Sequence, residues 1–127
     1  MFTRGAPLVL RVGAHNRALD RLLHRNRRRE WAFITAWNPR SRPLPRWRNE
    51  RRQRALARLL PLALLGAGIG EDVSWAEESL LAFGVAAGRA RRIARQFGQN
   101  AIVAGRRGGT AQLIWCARFG GGDGLTA

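Results

Sequence analysis

The chain has no lysine, no tyrosine, one cysteine, one methionine, two histidines and only eight acidic residues. Each shortage excludes something. A lone Cys116 cannot close an internal disulfide, so a secreted, disulfide-stapled scaffold is ruled out. A zinc centre needs three or four Cys, His or carboxylate ligands drawn close together, and His15, His24 and the distant Cys116 do not supply that pattern. No metal and no cofactor is expected. There is no Gly-x-Ser-x-Gly elbow, and neither Ser79 nor Cys116 stands in a recognisable nucleophile arrangement. The longest uncharged apolar stretch, Leu59–Gly70, is twelve residues long and contains Pro61. A membrane-spanning helix needs about 20 such residues, so no membrane partner is expected. Ala6–Leu10 is too short for a signal-peptide core before Arg11 interrupts it. The location these absences imply is the bacterial cytoplasm.

What is present is arginine. All 23 basic residues are Arg, and the formal net charge is +15. A complete lack of Lys marks a GC-rich genome as much as selection, so the placement of the arginines carries more than their number. Residues 1–58 hold 16 Arg and 3 acids, whereas residues 59–127 hold 7 Arg and 5 acids. The basic character belongs to the first half. Otherwise the composition, 46% hydrophobic and 24% charged, is that of an ordinary globular protein. A length of 127 residues suits one domain. Its folded core is expected over 8–116, with a flexible Gly-rich tail at 117–127.

Patterning supplies the elements. Leu8–Val12, closed by Gly13, reads as a strand. Asn16 is placed to cap a helix whose apolar side is Leu19, Leu22 and Leu23. Trp31–Trp37 is apolar on both alternations, as a strand covered on both faces would be, and Asn38-Pro39 ends it. A helix is expected from about Pro45 to Leu60, stopped by Pro61. Leu62–Leu65 and Leu80–Val85 follow as strands. Ala90, Ile93, Ala94 and Phe97 recur at helical spacing within Ala87–Phe97. Ala101–Ala104 and Ala111–Cys116 form a hairpin across Gly108-Gly109. The order predicts an α/β (α+β) two-layer sandwich, with one mixed sheet of five to six strands and three helices mainly on one face. Phe33, Ile34, Ala36, Leu56, Leu60, Leu81, Phe83, Ile93, Phe97, Ile102 and Leu113 are its expected core.

Several separated motifs run in a telling order: Phe33–Pro39, Asn49 and Arg52, Gly68-Ile69-Gly70, Trp75, Glu77-Glu78-Ser79 and Phe97–Val103. Together, from about Leu8 to Cys116, they resemble an uncharacterised bacterial family known as domain of unknown function 3293. The resemblance implies boundaries and a residue list but no activity. The chain departs from the family in its heavy Arg load and in a short segment between Gly70 and Trp75.

Two groups of residues could carry function. The basic segments are Arg25-Asn26-Arg27-Arg28-Arg29 and Arg40–Arg54, the latter holding seven Arg with Trp47 among them. Arg forks bind phosphate bidentately and an interleaved Trp can stack on an unpaired base, so Arg46, Trp47, Arg48 and Arg51 are candidates for binding RNA, DNA or another polyanion. The bland alternative is a solvated helix face. The second group is dispersed: Asn38, Ser41, Asn49, Arg52, Glu77, Glu78, Gln99 and Asn100. Polar side chains turned inward must find partners. They either knit loops together or line a pocket for a small polar ligand, as in a small enzyme. Arg52 is expected to meet Glu77 or Glu78. The glycines of Gly66–Gly70 are better read as a turn than as a phosphate loop, because Glu71 and Asp72 follow at once.

Overall fold

The computed structural model describes residues 10–69 and 76–116, with 62–69 and 76–78 described through their backbone alone. Leu8 and Val9 of the expected first strand, Trp75 and the tail at 117–127 lie outside the described residues. The elements are helix α1 (Arg17–Arg25), strand β1 (Glu30–Ile34), a single 3-10 turn (Pro39–Ser41), helix α2 (Arg46–Ala57), strands β2 (Leu62–Ile69) and β3 (Ala76–Phe83), helix α3 (Ala87–Gln96), and strands β4 (Ala101–Arg106) and β5 (Gln112–Trp115).

The strands form one α+β sheet in the order β2-β3-β1-β4-β5. Every pairing in it is antiparallel, not mixed as the sequence suggested. The reason lies in the connections. Each helical crossover, α2 and then α3, carries the chain past a neighbouring strand instead of to it. The parallel pairs β1/β2 and β3/β4 are thereby separated by an antiparallel strand. This β-α-β-β-α-β path is the split β-α-β, or ferredoxin-like, connectivity, here extended by β5 at one edge.

Pleating sends alternate residues of β1 to opposite faces. Ala32 and Ile34 meet Leu56, Leu60, Ala90, Ile93 and Ala94 beneath α2 and α3. Trp31 faces the other way, joining Phe83, Leu81 and the α1 residues Leu19 and Leu23. Asn16 caps α1 by accepting the Leu19 N–H at 2.8 Å, which aims that leucine face at the sheet. Helices thus cover both faces. Two lie on one side and α1 on the other, in place of a two-layer sandwich. Gly105 stands opposite Trp31 in the ladder, and a Cβ there would come within 2.8 Å of the Trp31 ring, so the glycine makes room for the indole.

Three further expectations need correction. Val12 makes only an isolated bridge to Ala111, because Gly13 (φ +86°) turns the chain towards α1. Strand β1 stops at Ile34 and not at Trp37. The Ala36 N–H is taken by Gln53 Oε1 (2.8 Å) and that of Trp37 by Thr35 Oγ1 (3.0 Å), so neither is left for a ladder. In the core list, Leu113 is 46% exposed near the sheet edge, and Phe33 and Phe97 are only partly buried.

Candidate functional site

Helix α2 presents three stripes. Asn49, Gln53 and Leu56 are its buried residues, and Leu60 continues the line beyond its end. Trp47 and Arg51 lie on the exposed side, Trp47 being 60% exposed. Between these stripes run Arg48, Arg52 and Ala55. No side chain caps the helix start, which follows Pro45.

The buried stripe anchors the loop that leaves β1. The Asn38 N–H donates to Asn49 Oδ1 at 2.8 Å, and Asn49 Nδ2 donates to Asn38 Oδ1 at 2.7 Å and to the Leu44 carbonyl at 3.2 Å. The Leu44 N–H closes the ring on Asn38 Oδ1 at 3.0 Å. Gln99 Nε2 donates to the Trp37 carbonyl at 3.1 Å, and Asn100 Nδ2 to Ser41 Oγ at 3.3 Å. These bonds hold a backbone that would not be adopted freely. Asn38, Arg40 and Ser41 all have positive φ, at 45°, 53° and 60°. Such conformations cost of order 1–3 kcal/mol each outside glycine and persist only where the surroundings dictate them. Gly98 (φ +72°) completes the clasp. Its carbonyl accepts the Arg40 N–H at 2.7 Å, and a Cβ on it would meet Pro39 Cβ at 2.8 Å.

Arg52 joins this clasp through two backbone carbonyls. Its Nε donates to the Ala36 carbonyl at 2.9 Å and its Nη2 to the Phe97 carbonyl, while the guanidinium lies 5.6 Å from the Phe97 ring centre. Phe97 is the C-cap of α3, where helix carbonyls lack partners and the dipole is negative, so a cation is favoured there. Burial, and then the neighbouring Arg48, lower the Arg52 guanidinium from its ordinary value. The backbones of Glu77 and Glu78 lie in β3 opposite Gly68 and Ala67. Their side chains lie outside the described residues.

The structure therefore brings together Asn38, Ser41, Asn49, Arg52, Gln99 and Asn100. Sequence reasoning missed Gln53 and Thr35, which complete the clasp at Ala36 and Trp37. Gln53 was detectable, since it falls on the stripe from Asn49 to Leu56.

The second group surrounds a groove on the outer side of α2. Trp47, Arg48, Arg51, Arg52, Ala55 and Phe97 enclose about 480 Å³ of open surface space. Arg48, Arg51 and Arg52 make no ion pair among the described residues. Arg46 behaves differently. It pairs with Glu50 at 3.1 Å and lies 5.6 Å from the ring centre of Trp37, so it is partly committed to the scaffold. Among the described residues no group of three or more His, Cys, Asp or Glu could hold a metal ion, and no helix is long and apolar enough to cross a membrane.

Fold and site together define a small α+β domain with split β-α-β connectivity and an arginine-lined helix groove. The chain belongs to the family described as Protein of unknown function (DUF3293), which it matches over residues 34–102. That span runs from the end of β1 into β4 and contains the whole clasp. It is narrower than the Leu8–Cys116 resemblance read in the sequence, leaving out α1 and β5. No curated protein and no solved structure matches the chain.

Proposed function

We propose that this chain binds single-stranded nucleic acid, RNA or DNA, along the outer groove of α2. One observation carries the reading: an exposed Trp47 stands in a single groove with Arg48, Arg51 and Arg52, which make no ion pair among the described residues. Bases stack on exposed aromatic faces whatever their sequence, and arginine forks engage the phosphates beside them. The sheet offers less, because α1 lies over Trp31 and Phe83 and keeps those rings from any ligand. The alternative, a small polar ligand or an enzyme reaction at the Asn38/Asn49/Arg52/Gln99 cluster, has less support. The amide and guanidinium groups there are engaged largely with loop backbone.

The test is fluorescence anisotropy with a labelled single-stranded oligonucleotide. Affinity should fall linearly with the logarithm of salt, with a slope near −0.7 for each phosphate neutralised. Arg48→Gln with Arg51→Gln should flatten that slope. Trp47→Ala should cost roughly 1–3 kcal/mol on the oligonucleotide but little on heparin, which has no bases to stack. Absence of binding at about 50 mM salt, where such contacts are strong, overturns the reading. So does an equal loss on replacing the exposed Arg89 and Arg92 of α3.

A further inference from the structure

A second concentration of cations lies on the α1 side of the sheet, outside the segment shared with the family. Helix α1 and the β4–β5 turn meet there. The Gly108 N–H donates to Asp20 Oδ1 at 2.9 Å, tying the turn to the helix. Asp20, Arg21, His24, Arg25, Arg107 and Gly108 enclose an open hollow of about 660 Å³. A second hollow, of about 430 Å³, adjoins it through the shared Arg107 and Gly108 and adds Arg29 and Arg106.

Five guanidiniums thus surround a corner with one carboxylate in its lining, and that carboxylate is already engaged. Asp20 holds the Gly108 amide and His15. Burial alone would raise its carboxyl, but the Gly108 N–H, His15 and Arg107 together keep it below its ordinary value. At the end of α1 the Leu22, Leu23 and His24 carbonyls are taken by the Asn26 side chain and by the amides of Arg28 and Arg27, not by these arginines. None of Arg21, Arg25, Arg29, Arg106 and Arg107 makes an ion pair among the described residues. Arg107 Nη1 lies 3.3 Å from His24 Nδ1. A guanidinium can only donate, so His24 Nδ1 is the acceptor in this contact.

We propose that this corner is an anion site for a multiply charged phosphate, a pyrophosphate unit or two successive phosphodiesters, separate from the α2 groove. Five guanidiniums lining two adjoining hollows supply more donors than a single phosphoryl group can use. The planar fork of an arginine matches the oxygens of a phosphate.

Titration calorimetry with inorganic pyrophosphate at low salt tests it directly. The native chain should bind, and Arg25→Gln with Arg107→Gln should weaken binding at least about tenfold, the loss of one charge-assisted hydrogen bond or more. Arg48→Gln with Arg51→Gln should leave pyrophosphate binding intact, so failure of the groove reading and failure of this site are told apart. The source of the phosphate follows from the oligonucleotide measured on the same variants. A parallel loss in Arg25→Gln/Arg107→Gln assigns the corner to the nucleic-acid backbone, and an unchanged oligonucleotide affinity assigns it to a free polyphosphate. No heat from pyrophosphate with the native chain, or equal heat from Arg25→Gln/Arg107→Gln, overturns the site.

Discussion

Asn38 and Asn49 hold each other by two hydrogen bonds, the backbone N–H of Asn38 on Asn49 Oδ1 and the Asn49 amide on Asn38 Oδ1. Asn49 is 1% exposed, so this pair is the buried hinge between α2 and the loop after β1. Asn38 also sits at φ 45°, a conformation Asn tolerates better than most residues.

Asn49→Ala should therefore cost roughly 1–3 kcal/mol, because it leaves the part-buried Asn38 N–H and Leu44 carbonyl without this partner. Urea unfolding should show a lower midpoint at unchanged slope. A variant as stable as the parent would mean that the loop is held by something other than this pair.

Arg52 offers a sharper test of scaffold against site. Its two carbonyl partners belong to β1's exit and to the end of α3, elements also tied together by Gln99 and by the Arg40 N–H on the Gly98 carbonyl. Arg52→Met should cost about 1–3 kcal/mol by leaving both carbonyls short of a donor. Arg52→Lys should rescue little, since one ammonium on a flexible stem cannot reproduce a fork spanning two acceptors. Full stability in Arg52→Met, with binding lost, would make Arg52 a ligand residue instead.

Much of this was legible because helix periodicity speaks directly about which side chains share a face. Asn49 on the stripe of Leu56 and Leu60 announced a polar group inside, and inward polar groups need partners. What could not be read was that Arg52 reaches the carbonyls of Ala36 and Phe97. A carbonyl at a helix end leaves no mark in the sequence, whereas Glu77 and Glu78 do, so the carboxylates drew the expectation. The mixed sheet failed for a related reason. A strand-helix-strand order looks the same whether the second strand pairs with the first or skips a neighbour. The corner at α1 was half legible: Arg25–Arg29 stood out as a basic segment, but Arg106 and Arg107, which complete the corner, lie far away in the chain.

The core prediction follows burial residue by residue. Phe83 is fully buried against α1, so Phe83→Ala should cost roughly 3–5 kcal/mol. Phe97 is only partly buried and should cost less on truncation, part of it through the lost contact with Arg52. Leu113→Ala, at an exposed position, should stay within about 0.5 kcal/mol of the parent. A Leu113 variant as damaging as Phe83→Ala would show that the exposed side of β5 is covered in solution.

Cys116 gives a prediction in pH, and the absences in the composition make it readable. The residue is fully buried at the end of β5, and its N–H is held by the Asn100 carbonyl at 2.8 Å. Burial pushes the thiol from its ordinary 9.0 up to about 11, against the opposing pull of Arg91 and Arg95. The folded chain then keeps its proton to about pH 11, while the unfolded chain releases it near pH 9. Between those values the unfolded state holds fewer protons, so stability falls as pH rises through that window and is unaffected by this group below it. Lysine and tyrosine, which ordinarily titrate in the same range, are missing from the chain. The stability difference between the native chain and Cys116→Ala should consequently be flat up to about pH 8 and shrink from there to about pH 11. Iodoacetamide should modify the folded chain far more slowly than the unfolded one, because a buried thiol yields little thiolate. A flat difference across the window, with alkylation equally fast in both states, would mean that Cys116 is open to solvent.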